Sequence, residues 1–311
     1  MEHELLACLG GGTGVTQFTE PQMRPPQEAH SLLLRATQGC TYNKCSFCYV
    51  SRGYPFMAVT DTELSLEAER ARPFFSPDTP IYLTGSNPLA LPFARLASWI
   101  AVLRTSFPRF SRLSMQARIG DIALKSDGEL SMLARLGLNH LYIGTENGNN
   151  MVLSLMNKGH TAEDIVRELT RLDGAGITYT NFYILGMGGK GRGIESGLAT
   201  ARMFNRVHPK RITTTGLTIF PDTPLQDMVL EGSFTEANER EKIEELRAFL
   251  SELDVDTFYD GIHYLNPLNF RLRVRDGEAR KEVLREIDEI LSTMCDEELE
   301  LMVGRRHMHS L

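Results

Sequence analysis

Three of the five cysteines in this 311-residue chain fall within nine residues, in the spacing C-x4-C-x2-C: Cys40, Cys45 and Cys48. Three thiolates on one short loop can each bind a different iron of a cubane iron–sulfur cluster. No fourth cysteine lies nearby, so one iron would stay open to a substrate. Zinc competes for the same thiolates, since structural sites take four Cys or His ligands and His30 or Cys8 could be the fourth. Zinc fingers, however, normally present two ligand pairs, and a second pair is missing. A ferredoxin-type electron carrier would want four cysteines per cluster. The odd cysteine count and its clustering make a poor disulfide framework and suggest a reducing compartment. Cys8 and Cys295 stand alone and read as small buried apolar residues.

Such a loop must be held by regular elements. Residues 31–37 read as a buried strand running directly into the cysteines. Further strands are predicted at 81–83, 112–117, 140–144, 177–185 and 212–219. Amphipathic helical patterns lie between them at 92–105, 127–136, 161–175 and 194–207. Six strands alternating with helices require crossover connections and hence parallel pairing. The expected fold class is α/β, a partial (β/α)6 TIM-like barrel with a mostly helical C-terminal extension. Residues 1–30, with a triple glycine and several prolines, read as a loose extension, and 31–225 as the barrel core. Residues 226–311 read as an extension covering the barrel, with helices at 236–253 and 278–302 around an irregular stretch at 259–275.

The unusual residues recur just after the predicted strands: the cysteines, Gly85-Ser86, Arg118, Glu146-Asn147-Gly148, the turn at 186–189, and Phe220-Pro221-Asp222. In a parallel barrel those positions share one rim, where active sites are built.

The cysteine segment, with Gly39 before Cys40 and Phe47 before Cys48, resembles the signature of the radical S-adenosylmethionine superfamily. The commonest family spacing is C-x3-C-x2-C, so this chain carries one extra residue. Gly144-Thr145-Glu146-Asn147-Gly148 followed by Met156-Asn157-Lys158-Gly159 resembles the branch of methylthiotransferases, elongator-like proteins and oxygen-independent coproporphyrinogen oxidases. The likeness covers residues 32–225. It implies a 4Fe-4S cluster on Cys40, Cys45 and Cys48, whose open iron chelates S-adenosylmethionine. Reductive cleavage of that cofactor would yield a 5′-deoxyadenosyl radical that abstracts hydrogen from a substrate. By the same resemblance Phe47, Gly85 and Ser86 lie against the cofactor, with the second-strand turn contacting the methionine amino group. Glu146 would take the ribose hydroxyls, Lys158 the methionine carboxylate, and Gly186 would let the chain approach adenine, having no Cβ in the way. Phe182 stands where several related groups have a ribose-binding aspartate, so Asn181 or Tyr183 is a candidate to share that role.

Toward the substrate, Arg118, Tyr183 and His263 are the candidate catalytic groups, with Asp222, Tyr264 and Asn266 also placed to reach the mouth. The bland alternatives are a structural salt bridge for Arg118 and a packed histidine at His263. A net charge of −7 gives no general attraction to nucleic acid or anionic membranes. No apolar run approaches the roughly 20 residues that span a bilayer, and the acidic start does not resemble a secretory signal. The expectations are a cytoplasmic enzyme acting on a small molecule or precursor, with a flavodoxin or ferredoxin as reductant. A zinc-stabilised binding module and a radical enzyme modifying an RNA base are the alternatives.

Overall fold

The computed structural model describes residues 16–303. Numbered in chain order, its strands are β1 (Leu32–Arg35), β2 (Thr37–Gln38), β3 (Met57–Ala58), β4 (Ile81–Thr84), β5 (Leu113–Ala117), β6 (Leu138–Glu146), β7 (Thr178–Leu185), β8 (Arg211–Gly216), β9 (Phe258–Asp260) and β10 (Arg271–Arg273). The helices are α1 (Asp61–Ala71), α2 (Phe93–Ser106), α3 (Ile119–Ala123), α4 (Asp127–Leu136), α5 (Asn150–Leu155), α6 (Ala162–Ala175), α7 (Gly193–Phe204), α8 (Pro224–Leu230), α9 (Glu239–Glu252), α10 (Gly277–Thr293) and α11 (Asp296–Leu301).

The main sheet runs β1-β4-β5-β6-β7-β8-β9-β10. Each pair from β1 to β9 is parallel, and β10 closes the far edge antiparallel to β9. All six sequence-predicted strands are present in the expected order. Several helices start where side chains satisfy otherwise orphaned N–H groups. Thr60, Ser126, Thr161 and Asn238 each close a capping box with an acidic residue three positions on.

Three expectations change. The segment at 259–275 contributes β9 and β10 to the sheet, strands of three residues each and too short to show a period. The helix expected over 278–302 is two helices, broken between Thr293 and Asp296, and Cys295 is exposed at the junction rather than buried. One hydrophobic core runs from Leu32 to Leu299, so the chain packs continuously across 225/226. Helix α9 lies against α7 and the outer side of β7. Cys8 lies outside the described residues.

Residues 16–30 are not loose. Pro26–Glu28 forms a 3-10 turn whose Glu28 is fully buried at the end of the barrel where the strands begin. Its carboxylate accepts from Ser114 Oγ (2.8 Å) and Tyr142 Oη (2.7 Å) and pairs with Arg112 (2.8 Å). Gln27 donates to Asp260 of β9 (3.3 Å), so this segment bridges from beside β1 to the opposite margin of the open sheet. A buried carboxylate is tolerable because each oxygen is hydrogen-bonded or paired.

Candidate functional site

The cysteines sit on a loop pinned at both ends, because β2 and β3 pair antiparallel through Thr37–Ala58 and Gln38–Met57. The loop is sewn to the Met156-Asn157-Lys158-Gly159 turn. Ser46 N donates to Met156 O (3.0 Å), Asn157 Nδ2 to Lys44 O (3.0 Å), and Tyr42 Oη to Asn157 O (2.9 Å). Gly159 has positive φ, and a Cβ there would lie 2.6 Å from Tyr42 Oη, so only glycine lets the loop dock. Arg52 shapes the loop from inside, donating to the carbonyls of Cys45 and Cys48.

Glu146 reaches the same place by a backbone irregularity. The β6–β7 register slips between Gly144 and Glu146, and Glu146 has a φ of 66°. That left-handed conformation is unfavourable for a non-glycine residue, and such strain concentrates at functional sites. A Cβ on Gly144 would collide with the Glu146 carboxylate, so the glycine makes the room the carboxylate occupies. Lys158, nearly fully buried, pairs with Glu146 at 3.2 Å and lies 5.6 Å from the centre of the Phe47 ring. Burial alone would push the Lys158 ammonium down, but Glu146 and Cys45 hold it above the usual lysine value. Burial raises the Cys45 thiol, with Lys158 and Arg118 pulling against it, and burial likewise raises Cys48. Arg118 stacks over Tyr42 at 3.9 Å and donates to Lys158 O (2.8 Å). Its Nε is buried without a hydrogen-bond partner among the described residues.

These groups line one cavity of about 310 Å³. Cys40, Cys45, Cys48, Phe47, Ser86, Arg118, Glu146 and Lys158 all face it, so segments following β2, β4, β5 and β6 converge as expected. Phe182 and Ile184 of β7, the strand beside β6, and residues 215–218 at the end of β8 complete the lining. Among the described residues no three Cys, His, Asp or Glu side chains converge on one ion position. A single zinc would need such convergence within about 2.3 Å of each sulfur, whereas a cubane spreads its thiolates over separate irons. The donor set thus suits a cluster: three thiols, an open side, and cations beside it. His30 is exposed ahead of β1, at the other end of that strand from the cysteines, and cannot serve as a fourth ligand.

Several expected site residues lie elsewhere. Tyr183 points away from the cavity, because side chains alternate along β7 and Phe182 takes the inward place. It is buried against Phe249 and donates to Glu245 Oε1 of α9 at 2.6 Å. Asn181, with the same parity, is fully buried on that side. Gly186 is absent from the lining; it donates to Glu245 Oε2 (2.8 Å), and a Cβ there would lie 2.8 Å from Lys242 Cε. Gly186 thus makes room for α9. Gly85 has positive φ and packs against Thr37, leaving Ser86 to face the cavity. His263 stands behind the wall, its Nδ1 accepting from Leu265 N (3.2 Å) and lying 3.1 Å from Thr215 Oγ1. Burial lowers its pKa and keeps the ring neutral. Asp222 and Tyr264 are exposed and Asn266 is tied to backbone carbonyls; none lines the cavity.

Other residues of the site are not legible in the sequence. Glu20, buried in the N-terminal segment, accepts from Gly39 N (2.6 Å), Ser51 Oγ (2.7 Å) and Ser86 Oγ (3.2 Å). It ties the cysteine loop to the turn after β4, while Met23 from the same segment lines the cavity. Asn87 clamps the loop start, with its Nδ2 donating to Thr41 Oγ1 (2.6 Å) and Asp121 Oδ1 (3.1 Å). Only the Asn87-Pro88 breaker marks that spot in the sequence.

The model of the radical SAM superfamily matches residues 34–204, more than half of the chain. This protein belongs to the radical SAM superfamily. Members of this superfamily work with a [4Fe-4S] cluster and S-adenosylmethionine, cleave the latter reductively and draw on an electron donor. The zinc-only binding module is thereby set aside. Among solved structures, coproporphyrinogen III oxidase from Escherichia coli, itself titled a radical SAM enzyme, superposes with a TM-score of 0.55 at 19% identity. That match covers 90% of this chain and 66% of the oxidase. Elp3 from the archaeon Methanocaldococcus infernus gives 0.52 at 15% identity, covering 86% and 64%. The radical S-adenosylmethionine methyltransferase TsrM from Kitasatospora setae, with cobalamin and a [4Fe-4S] cluster bound, gives 0.53 at 20% identity. This chain spans 39% of that methyltransferase, which in turn covers 65% of this chain. At these identities the likeness is one of fold. No curated protein matches the sequence.

Proposed function

We propose that Cys40, Cys45 and Cys48 hold the cluster and that the adjoining cavity binds S-adenosylmethionine, to act on a small-molecule or precursor substrate. The observation that carries this reading is the buried Glu146–Lys158 pair standing beside Cys45 on one cavity wall. When bound, the cluster supplies the electron that breaks a carbon–sulfur bond of S-adenosylmethionine and releases the 5′-deoxyadenosyl radical.

The chain's own residues bind and orient. Arg118 and Lys158 carry one positive charge more than Glu146 neutralises, which suits a single carboxylate, that of the methionine moiety. Glu146, aimed inward by its strained backbone, accepts from the ribose hydroxyls. Ser86 and the turn that begins at Gly85 face the methionine amino group, and Phe47 covers the cluster loop against Lys158. The mostly apolar wall excludes water from a reactive intermediate. Tyr183, Gly186 and His263 have no direct part in this reading; they brace the wall from behind. A flavodoxin or ferredoxin in the cytoplasm is the proposed electron source. Among the described residues no helix is long and apolar enough to cross a membrane.

Anaerobic reconstitution tests the assignment. Cys45→Ala should abolish both the broad visible absorbance of the cluster and the formation of 5′-deoxyadenosine, while Cys295→Ala leaves both intact. Cleavage that persists in the Cys45 variant overturns the ligand set.

A further inference from the structure

A second buried carboxylate reaches the site from outside the segment that the superfamily model matches. Glu20, only 6% exposed, touches both ends of the cysteine loop and the turn after β4. Gly39 N donates to its Oε2 (2.6 Å), while Ser51 Oγ (2.7 Å) and Ser86 Oγ (3.2 Å) both reach its Oε1. The two serine hydroxyls also bond each other. Among the described residues no cation pairs with Glu20, so its charge rests on these donors.

Counting protons fixes the direction of this network. A carboxylate only accepts, and a hydroxyl has one proton to give. When Ser51 gives its proton to Glu20, the bond between the serines takes the proton of Ser86. Were Ser51 to donate to Ser86 instead, the Ser86 proton would go to Glu20. Under either assignment that proton is turned inward. Ser86 lines the cavity, so it presents there a lone pair backed by a buried negative charge. Such a group accepts from an N–H donor and disfavours a carboxylate. Arg118 and Lys158, which also line the cavity, offer the opposite chemistry. An α-amino-acid moiety carries one group for each.

We infer that Glu20 is a positioning residue for the cofactor. Acting through Ser86, it keeps that hydroxyl an acceptor for the amino group of the methionine moiety. This rests on the reading above, in which S-adenosylmethionine occupies the cavity. The substitution Glu20→Gln inverts the network while keeping its shape. Gly39 N needs the remaining carbonyl oxygen, which leaves the amide NH2 facing Ser51 and Ser86. Those hydroxyls must then accept, and the Ser86 proton is free to turn into the cavity, donor against donor.

The test is equilibrium binding to the anaerobically reconstituted full chain, without reductant, so that nothing turns over. The two probes are S-adenosylmethionine and its analogue lacking the α-amino group. Glu20→Gln and Ser86→Ala should each weaken S-adenosylmethionine about fivefold, the worth of one hydrogen bond, and shift the analogue by less than about twofold. The double variant should bind no worse than the weaker single one, because both act through one contact. Iron content and the visible spectrum should stay at wild-type levels throughout. Equal weakening of both probes, or of neither, overturns the inference and leaves the cofactor reading standing, with Glu20 a brace of the cysteine loop alone. Should Glu20→Gln not hold its cluster, Ser86→Ala decides, since it leaves Glu20 bonded to Gly39 and Ser51 and removes only the group through which Glu20 acts. Selective loss of S-adenosylmethionine then upholds the inference and equal loss overturns it. A wild-type protein that carries the cluster and binds the two probes equally overturns only the inference; one that binds neither sinks the cofactor reading itself.

Discussion

Replacing Glu146 by glutamine keeps the side chain's shape and removes its charge. The consequence follows from the geometry. Lys158 has a side chain only 4% exposed and Glu146 only 12%, so the ammonium loses its counter-ion where water cannot replace it. Arg118, next to Lys158, adds repulsion rather than relief. Breaking a buried pair from one side costs about 3–5 kcal/mol, and the small remaining solvent access argues for the lower end, about 3 kcal/mol. At roughly 2–4 °C per kcal/mol for a chain of this size, the melting temperature should fall by about 6–12 °C. The double variant Glu146→Gln with Lys158→Met removes both charges and refills the space with an apolar chain, so most of that loss should return. Binding of S-adenosylmethionine to the reconstituted protein should be weakened in both variants. The assay is a thermal melt of the four proteins in the cycle, paired with equilibrium binding. A Glu146→Gln protein melting within about 1 °C of wild type, or a double variant no more stable than the single, would refute the claim that this pair is a buried, mutually dependent unit.

Two further outcomes are expected. Gly144→Ala puts a methyl group into the Glu146 carboxylate and should weaken S-adenosylmethionine binding by about tenfold or more, whereas Gly174→Ala, in α6 with open space around it, should be neutral or stabilise by about 0.5–1 kcal/mol. If both variants bind alike, the glycine is not making room for the carboxylate. Burial pushes the Glu245 carboxyl up to about 8, against hydrogen bonds from Tyr183 and Gly186 and the charge of Lys242. An unfolded glutamate titrates near 4.3, so the folded state holds the extra proton between those values. Stability is then fully present below about pH 4 and falls as pH rises through 8. Glu245→Gln should flatten the loss of urea resistance between pH 6 and 8.5, and parallel curves for the two proteins would exclude Glu245 as its source.

Much of the fold is legible because its signals are local. Six strands with helical spacers announce parallel crossovers, and capping residues such as Ser126 and Thr161 mark the helix starts to within a residue. The three-residue strands β9 and β10 carry too little pattern to be read, and exist because the edge beside β8 accepts them. The break at Cys295 passes unnoticed, since Glu- and Leu-rich texture runs through it. At the site, Arg118 and Glu146 stand out because strand ends in a parallel sheet share a rim, and Lys158, which follows a helix, stands out only through the motif resemblance. Tyr183 is turned away for a geometric reason: one step along β7 takes a side chain from the cavity to the outer face, where Glu245 accepts its hydroxyl proton.

The sequence alone set out three thiols at C-x4-C-x2-C with no nearby fourth, a spacing open to zinc or iron–sulfur, and the resemblance carried by the later motifs pointed to the cluster. It also determined that a parallel sheet would bring the later motifs to the same rim. The tertiary structure decided what surrounds the cysteines. Glu20 and Met23, read as part of a loose tail, are a brace and a wall, because burial can recruit any segment that satisfies its own polar groups. The pairing of Glu146 with Lys158 and the surplus charge on Arg118 depend on distances between segments remote in sequence. Periodicity carries no information about those distances.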